Sequence, residues 1–178
     1  MGDNPVTLLK FFNTQEERII AITEKGILLL TIDSDNKKIK SLVVNLGNLK
    51  RKFHTMIIDS EDEYLYCGTS TGDIIEVNVE RAIYKRMAPV GKNFTQGVYT
   101  MGILPNGDLI IGAGDGTLAK ISIQTMKVKK RTKVWGSVSS ITFTKDFTHF
   151  FCGTKEVYQI SHFVYLESRI FIGSIVTS

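Results

Sequence analysis

Leu65-Tyr66-Cys67-Gly68-Thr69-Ser70-Thr71-Gly72-Asp73-Ile74-Ile75-Glu76-Val77 decides the fold of this chain. An apolar run closes on Gly68-Thr69, a small polar turn carries Gly72-Asp73, and a second apolar run starts at Ile74. Gly-Asp at a tip supplies the positive φ that a tight hairpin between twisted strands requires, so the stretch reads as two antiparallel strands. The same order of residue types returns in Leu109-Ile110-Ile111-Gly112-Ala113, the turn Gly114-Asp115-Gly116, and Thr117-Leu118-Ala119-Lys120-Ile121. It returns again in Phe150-Phe151-Cys152-Gly153-Thr154, a shorter turn at Lys155-Glu156, and Val157-Tyr158-Gln159-Ile160. Gly68, Gly112 and Gly153 stand 44 and 41 residues apart. A fainter first copy runs Arg18-Ile19-Ile20-Ala21-Ile22, turn Glu24-Lys25-Gly26, Ile27-Leu28-Leu29-Leu30, with Ala21 47 residues ahead of Gly68.

Outward from each hairpin the pattern extends on both sides. Upstream strands at Phe53–Ile58, Val98–Leu104 and Val138–Phe143 end in polar turns such as Pro105-Asn106-Gly107-Asp108. In Val138–Phe143 the large residues Ile141 and Phe143 alternate with Ser140 and Thr142, the period-two signature of a strand buried on one face. Downstream strands at Ile39–Val44, Ala82–Met87 and Met126–Val134 carry much of the Lys and Arg, as outer exposed strands should. Four strands repeating every 41–47 residues, with no helical periodicity, predict an all-β chain of β-propeller blades. The expected architecture is about four four-stranded antiparallel sheets in one partial propeller domain over 1–178, with repeats at 6–47, 48–91, 92–134 and 135–178 and an atypical tail at 161–178. One blade cannot bury both of its faces, and stacking blades does. Four blades can close a small ring or form an open arc, and an open arc would expose sheet edges and apolar faces that seek a partner.

Composition narrows the function classes. The chain has 178 residues, 43% hydrophobic and 22% charged, with three prolines and no Pro- or Ser-rich linker, which is the profile of a globular domain. Net charge is +4 and the pI is near 9.0. The basic residues are scattered apart from clusters at Lys50–Lys52 and Lys127–Lys133. Lys on an edge strand discourages sheet-to-sheet aggregation, and the other reading of such clusters is a docking surface for an acidic partner. Cys67 and Cys152 lack Cys-x-x-Cys spacing and read as reduced core thiols. No signal peptide is legible, and no apolar run reaches the ~18–20 residues of a membrane helix; the expectation is a cytosolic chain with no membrane partner.

Candidate chemical motifs resolve into structural ones. Gly112-Ala113-Gly114-Asp115-Gly116 has the glycines of a dinucleotide loop but is followed by strand-type sequence, so it reads as a hairpin turn. His54, His149 and His162 share no ligand spacing and read as surface or hydrogen-bonded structural residues. The acidic turn Asp59, Glu61, Asp62, Glu63 reads as a solvated loop. Ser139-Ser140 lies in a strand without a nucleophile elbow. The expectation is no enzyme, no cofactor, no metal and no small-molecule substrate. The one candidate surface is Lys127, Lys129, Lys130, Arg131, Lys133 and Trp135. An aromatic beside basic residues can stack nucleic-acid bases; a Trp packing on its neighbouring blade edge is the preferred reading, with no nucleic-acid partner.

The repeat resembles the WD-repeat family in its Cys67–Val77 and Gly112–Ile121 stretches. Val77-Asn78, Ile121-Ser122 and Ile160-Ser161 stand where that family closes on Trp-Asp. From Asn45 to Ile160 the chain is similar to a ciliary branch of the family, through Leu49-Lys50-Arg51, Leu65–Ile74, Lys92-Asn93-Phe94-Thr95-Gln96-Gly97-Val98, Gly112–Gly116 and Val138–Thr142. The resemblance implies a fragment or short form of the second propeller of a two-propeller protein. It implies a non-enzymatic scaffold in the cytoplasm and cytoskeleton of the cilium or flagellum axoneme, bracing doublet microtubules from within, with tubulin and other axonemal inner proteins as partners. The repeats alone fit a WD-type adaptor in another soluble multiprotein complex equally well.

Overall fold

The computed structural model describes residues 4–155, 159–166 and 169–176, the last two stretches by backbone alone. These residues form sixteen strands in four four-stranded antiparallel sheets, each a simple meander. The first sheet holds β1 (Val6–Phe11), β2 (Arg18–Thr23), β3 (Gly26–Asp33) and β4 (Lys38–Val43). The second holds β5 (Phe53–Ile58), β6 (Tyr64–Thr69), β7 (Ile74–Asn78) and β8 (Ile83–Ala88). The third holds β9 (Val98–Ile103), β10 (Leu109–Ala113), β11 (Thr117–Ile121) and β12 (Val128–Lys133). The fourth holds β13 (Val138–Phe143), β14 (His149–Thr154), β15 (Gln159–Leu166) and β16 (Arg169–Val176).

The first strand of every sheet carries an irregularity at the same place. Val6/Leu8, Phe53/Thr55 and Val138/Ser140 shift register in pairing with the second strand, and β9 does so as Val98 pairs with Ala113 and Thr100 with Gly112. A β-bulge re-aims a side chain. Without it Val98 and Thr100 would share a face; with it Thr100 stays beside Gly112 while Val98 turns back onto the second sheet. There its Cγ1 would stand 2.8 Å from a Cβ built on Gly68. Val138 meets Gly112 in the same way, and the Phe143 ring meets Gly102. The repeating glycine is therefore the hole that receives the next sheet's valine, and any side chain there would displace it.

These insertions build the core. One apolar cluster joins the first and second sheets through Ile20, Ile22, Leu65 and Cys67. A second joins the second and third through Tyr66, Val98, Leu109 and Ile111. A third joins the third and fourth through Ile110, Val138, Phe150 and Cys152. Burying each large aliphatic chain contributes about 1.5–3 kcal/mol. Both cysteines are buried. Among the described residues no cluster joins the fourth sheet to the first, and Val6, Leu9 and Phe11 on β1 are exposed.

Two details depart from expectation. Pairing of Leu8 with Ile22, as Thr55 pairs with Gly68, puts Ile22 and not Ala21 at the glycine position of the first sheet. The β2–β3 turn is shorter, with Thr23 paired to Gly26, so counting back from the turn lands one residue off. The first sheet has the four strands expected of the repeat 6–47, and its inner strand β1, for which the sequence reading gave no bounds, runs Val6–Phe11. The third strand of the fourth sheet runs Gln159–Leu166, further than the expected Val157–Ile160; Glu156, Val157 and Tyr158 lie outside the described residues.

Candidate protein-contact surface

The candidate residues gather on one element. Lys129, Lys130, Arg131 and Lys133 lie on β12, the outermost strand of the third sheet, with exposure alternating along it. Lys127 immediately precedes the strand and is exposed. Most of this charge is already engaged. Lys129 Nζ bonds both Asp108 oxygens, at 2.9 and 2.8 Å. Lys133 Nζ is 3.2 Å from Asp115 Oδ2. The Arg131 guanidinium lies 5.0 Å from the centre of the Phe94 ring, a cation–π contact. Among the described residues no carboxylate pairs with Lys127 or Lys130, so these two are the positive charges left for a partner.

Trp135 does not pack on a blade edge as expected; it is 81% exposed. The linker from β12 to β13 explains this. Val134 takes the inward seat against the third apolar cluster and its N–H donates to the Gly116 carbonyl at 2.9 Å. The adjacent side chain is thereby turned outward, and Gly136 bends the chain with a φ of 82°.

Register equates Lys120 and Lys130 of the third sheet with Glu76 and Arg86 of the second. Glu76 is 1% exposed and is paired by Arg86 and, at 3.4 Å, by Lys85. Arg86 also donates to the Ile123 and Gln124 carbonyls at 2.6 and 2.9 Å, fastening the second sheet to the third. In the third sheet the buried Lys120 is neutralised from a turn instead, by Asp108 at 3.1 Å. Burial would push the Asp108 carboxyl up, but Lys129 and Lys120 hold it below the usual carboxylate value.

The acidic turn is solvated at Glu61 and Glu63 but not at Asp62 and Asp59. Asp62 is 6% exposed and accepts hydrogen bonds from Asn13 N, Asn13 Nδ2, Thr14 N and Thr14 Oγ1 at 2.6–3.0 Å, clasping the β1–β2 turn. Those bonds outweigh its burial and lower its pKa. Asp59 accepts from the Glu63 and Tyr64 amides. His54 stacks on Tyr99 with ring centres 4.4 Å apart; burial and the nearby Lys52 and Lys155 charges lower its pKa. His149 Nδ1 contacts Thr148 Oγ1 at 2.7 Å, and the His162 side chain lies outside the described residues. In the second sheet Asp73 is held by Thr71 at 2.8 Å, by Arg51 at 2.9 Å and by Thr69. A cleft of about 660 Å³ between the first two sheets is lined by Thr7, Glu24, Lys25, Leu46, Lys50 and Arg51. Among the described residues no three His, Cys, Asp or Glu side chains converge as a metal site would require.

Four meander sheets, joined at two of their three interfaces by the same bulge-and-glycine insertion, with polar groups spent on fastening sheets together, make a chain of β-propeller blades. A β-propeller domain of Myceliophteria thermophila, Cps50 (Swd1), superposes with a TM-score of 0.75 over 97% of this chain and 61% of its own, at 10% identity, a likeness of fold alone. The proteins it resembles in sequence are named cilia- and flagella-associated protein 52. That of Chlamydomonas reinhardtii is 36% identical over 155 residues, which is 85% of this chain and 25% of that protein. Those of Bos taurus and Homo sapiens are each 28% identical, over 92% and 90% of this chain and 27% and 26% of theirs. The chain thus spans about a quarter of the length of the curated relatives it matches. No family model matches it.

Proposed function

We propose that this chain is a non-enzymatic structural component of the ciliary or flagellar axoneme, bracing doublet microtubules through contacts with tubulin and neighbouring inner proteins. The observation that carries the reading is 36% identity to a cilia- and flagella-associated protein across 85% of the chain. The architecture supports it: the buried charges Glu76, Asp108 and Asp62 all serve to join sheets or turns, which suits a rigid block that offers shape. The units of that block are the repeats 6–47, 48–91, 92–134 and 135–178 of one partial propeller domain. Contact centres on the outer strand of the third sheet, where Trp135 supplies an exposed aromatic anchor and Lys127 and Lys130 uncommitted charge. Lys129, Arg131 and Lys133 frame it.

The test is retention of a tagged chain on salt-washed doublets from ciliated cells. The chain is expected to remain with the doublets, and the triple substitution of Lys127, Lys130 and Trp135 by Ala is expected to weaken retention with the fold intact. Recovery only in the soluble fraction would overturn the reading, and a stable complex purified from non-ciliated cells would identify a WD-type adaptor in its place.

A further inference from the structure

The charges of the loops divide between the two ends of the sheets. The turns that join each inner strand to its neighbour, β1–β2, β5–β6, β9–β10 and β13–β14, hold eight acids and one lysine. At the other end, the turns β2–β3, β6–β7 and β10–β11 and the links β4–β5, β8–β9 and β12–β13 hold five cations and three acids. Two of those acids are committed, Asp73 to Arg51 and Asp115 to Lys133. Cations free of such partners therefore dominate this end, and a partner approaching it meets a positive field.

The cleft of about 660 Å³ lies at this positive end, between the first and second sheets, which follow one another in the chain. Its floor is apolar. Leu46 and Leu49 pack half-buried on the first apolar cluster, and Phe53 belongs to that cluster. Its rim is basic. Lys25, Lys50 and Lys52 are exposed, and among the described residues no carboxylate pairs with them. Among the described residues lining the cleft, Glu24 alone is acidic. The link that supplies floor and rim is fixed by its own hydrogen bonds. Asn45 N donates to the Ala82 carbonyl at 2.8 Å, and Asn45 Oδ1 accepts from Gly47 N at 2.9 Å. Leu49 N donates to the Leu46 carbonyl at 3.2 Å, and the Lys52 carbonyl accepts from Ser70 N at 2.8 Å. Arg51, held by Asp73 at 2.9 Å, donates from Nη1 to the Lys50 carbonyl at 3.1 Å. A site already ordered in this way loses little freedom when it binds.

We infer that this cleft binds an acidic protein segment carrying one bulky apolar side chain. The apolar side chain seats on Leu46 and Leu49, and its Asp and Glu neighbours meet Lys25, Lys50 and Lys52. An apolar centre inside a charged rim is how protein-recognition surfaces divide their work, the centre supplying affinity and the rim register and sign. Nucleic acid suits the cleft less: the floor is mainly aliphatic, and its one ring, Phe53, is 6% exposed, too covered for a base to stack on. The cleft belongs to the first two sheets and Lys127, Lys130 and Trp135 to the outer strand of the third and its link. It does not rest on the ciliary reading, and either can fail without the other.

Fluorescence anisotropy with the 178-residue chain and a labelled Glu-Glu-Leu-Glu-Glu peptide tests this. Saturable binding that weakens as salt rises is expected. Replacing the leucine of the peptide by alanine is expected to weaken binding about tenfold. Lys50→Glu combined with Lys52→Glu is expected to weaken it by at least about tenfold, with circular dichroism unchanged because both side chains are exposed. Lys127→Glu combined with Lys130→Glu changes the net charge equally but lies on another sheet, and is expected to leave the affinity within about twofold. A peptide that does not bind, an affinity indifferent to the leucine, or equal losses from the two charge reversals would overturn the proposal. Tighter binding of an oligothymidine than of the peptide would also overturn it, making the cleft a nucleic-acid groove. So would self-association of the chain that Lys50→Glu with Lys52→Glu abolishes, which would make the acidic turns of a second copy the occupant.

Discussion

The second and third sheets solve one problem with opposite charges. At equivalent positions the second buries an acid, Glu76, and the third a base, Lys120. Glu76 takes its counter-ions from the next strand, Lys85 and Arg86. Lys120 has Lys130 in the place of Arg86 and takes Asp108 from a turn twelve residues away. The slot therefore specifies no sign. It specifies a long polar chain whose partner is delivered by whatever element can reach it, because an unpaired buried charge costs more than the pairing returns.

The harshest way to break that symmetry is Glu76→Lys. It would copy the third sheet's residue into a slot with two cations and no acid, and a loss of about 4 kcal/mol or more in denaturant unfolding is expected. Next comes Gly112→Val, which sets a side chain against Val138 in the third interface; about 1–3 kcal/mol should be lost from overpacking. The same change at Gly153 should cost less, since the second interface of that sheet is not filled within the described residues. A smaller effect separates the sheets by pH. Asp62, Asp73 and Asp108 all have lowered pKa values. Their contribution is complete above the unfolded carboxylate value of about 3.9 and is lost as pH falls through the folded values. Asp59, raised chiefly by its burial, acts in the opposite sense. Thermal melts from pH 6 downward should show stability falling below about pH 4, and Asp108→Asn should flatten that limb by removing the third sheet's share. The mildest change is Trp135→Ala, expected within about 0.5 kcal/mol because the ring is 81% exposed. Trp135 is the only tryptophan, so emission already solvent-like in the folded protein checks its placement.

The glycines were readable because the backbone leaves no other choice where Val98 and Val138 enter, and physics of that kind writes itself into a repeat. The hairpin β10–β11 and the buried thiols followed from the same pattern. The strand β1 was expected from the repeat that opens at residue 6, but its limits were not readable: Val6–Phe11 has no glycine and no hairpin tip of its own to mark them. Asp62 looked like any acid in a polar turn, because its partners Asn13 and Thr14 come from another sheet nearly fifty residues away. At the candidate surface the residues singled out in the sequence fold onto or beside one strand, β12, yet the sequence could not separate Lys129 and Lys133, which are spoken for, from Lys127 and Lys130. That division depends on where Asp108 and Asp115 fall after folding. Trp135 defied the pattern because one residue, Val134, took the inward place.

Among the described residues the apolar interior comes in three parcels, each shared by sheets that follow one another in the chain. Such a molecule behaves like a short one-dimensional array: its cohesion is a sum over links between neighbours, and melting can begin at either extremity and advance inward link by link. The second and third sheets, held from both sides, should keep their amide hydrogens longest when exchange is followed in heavy water, and the first should surrender its own early.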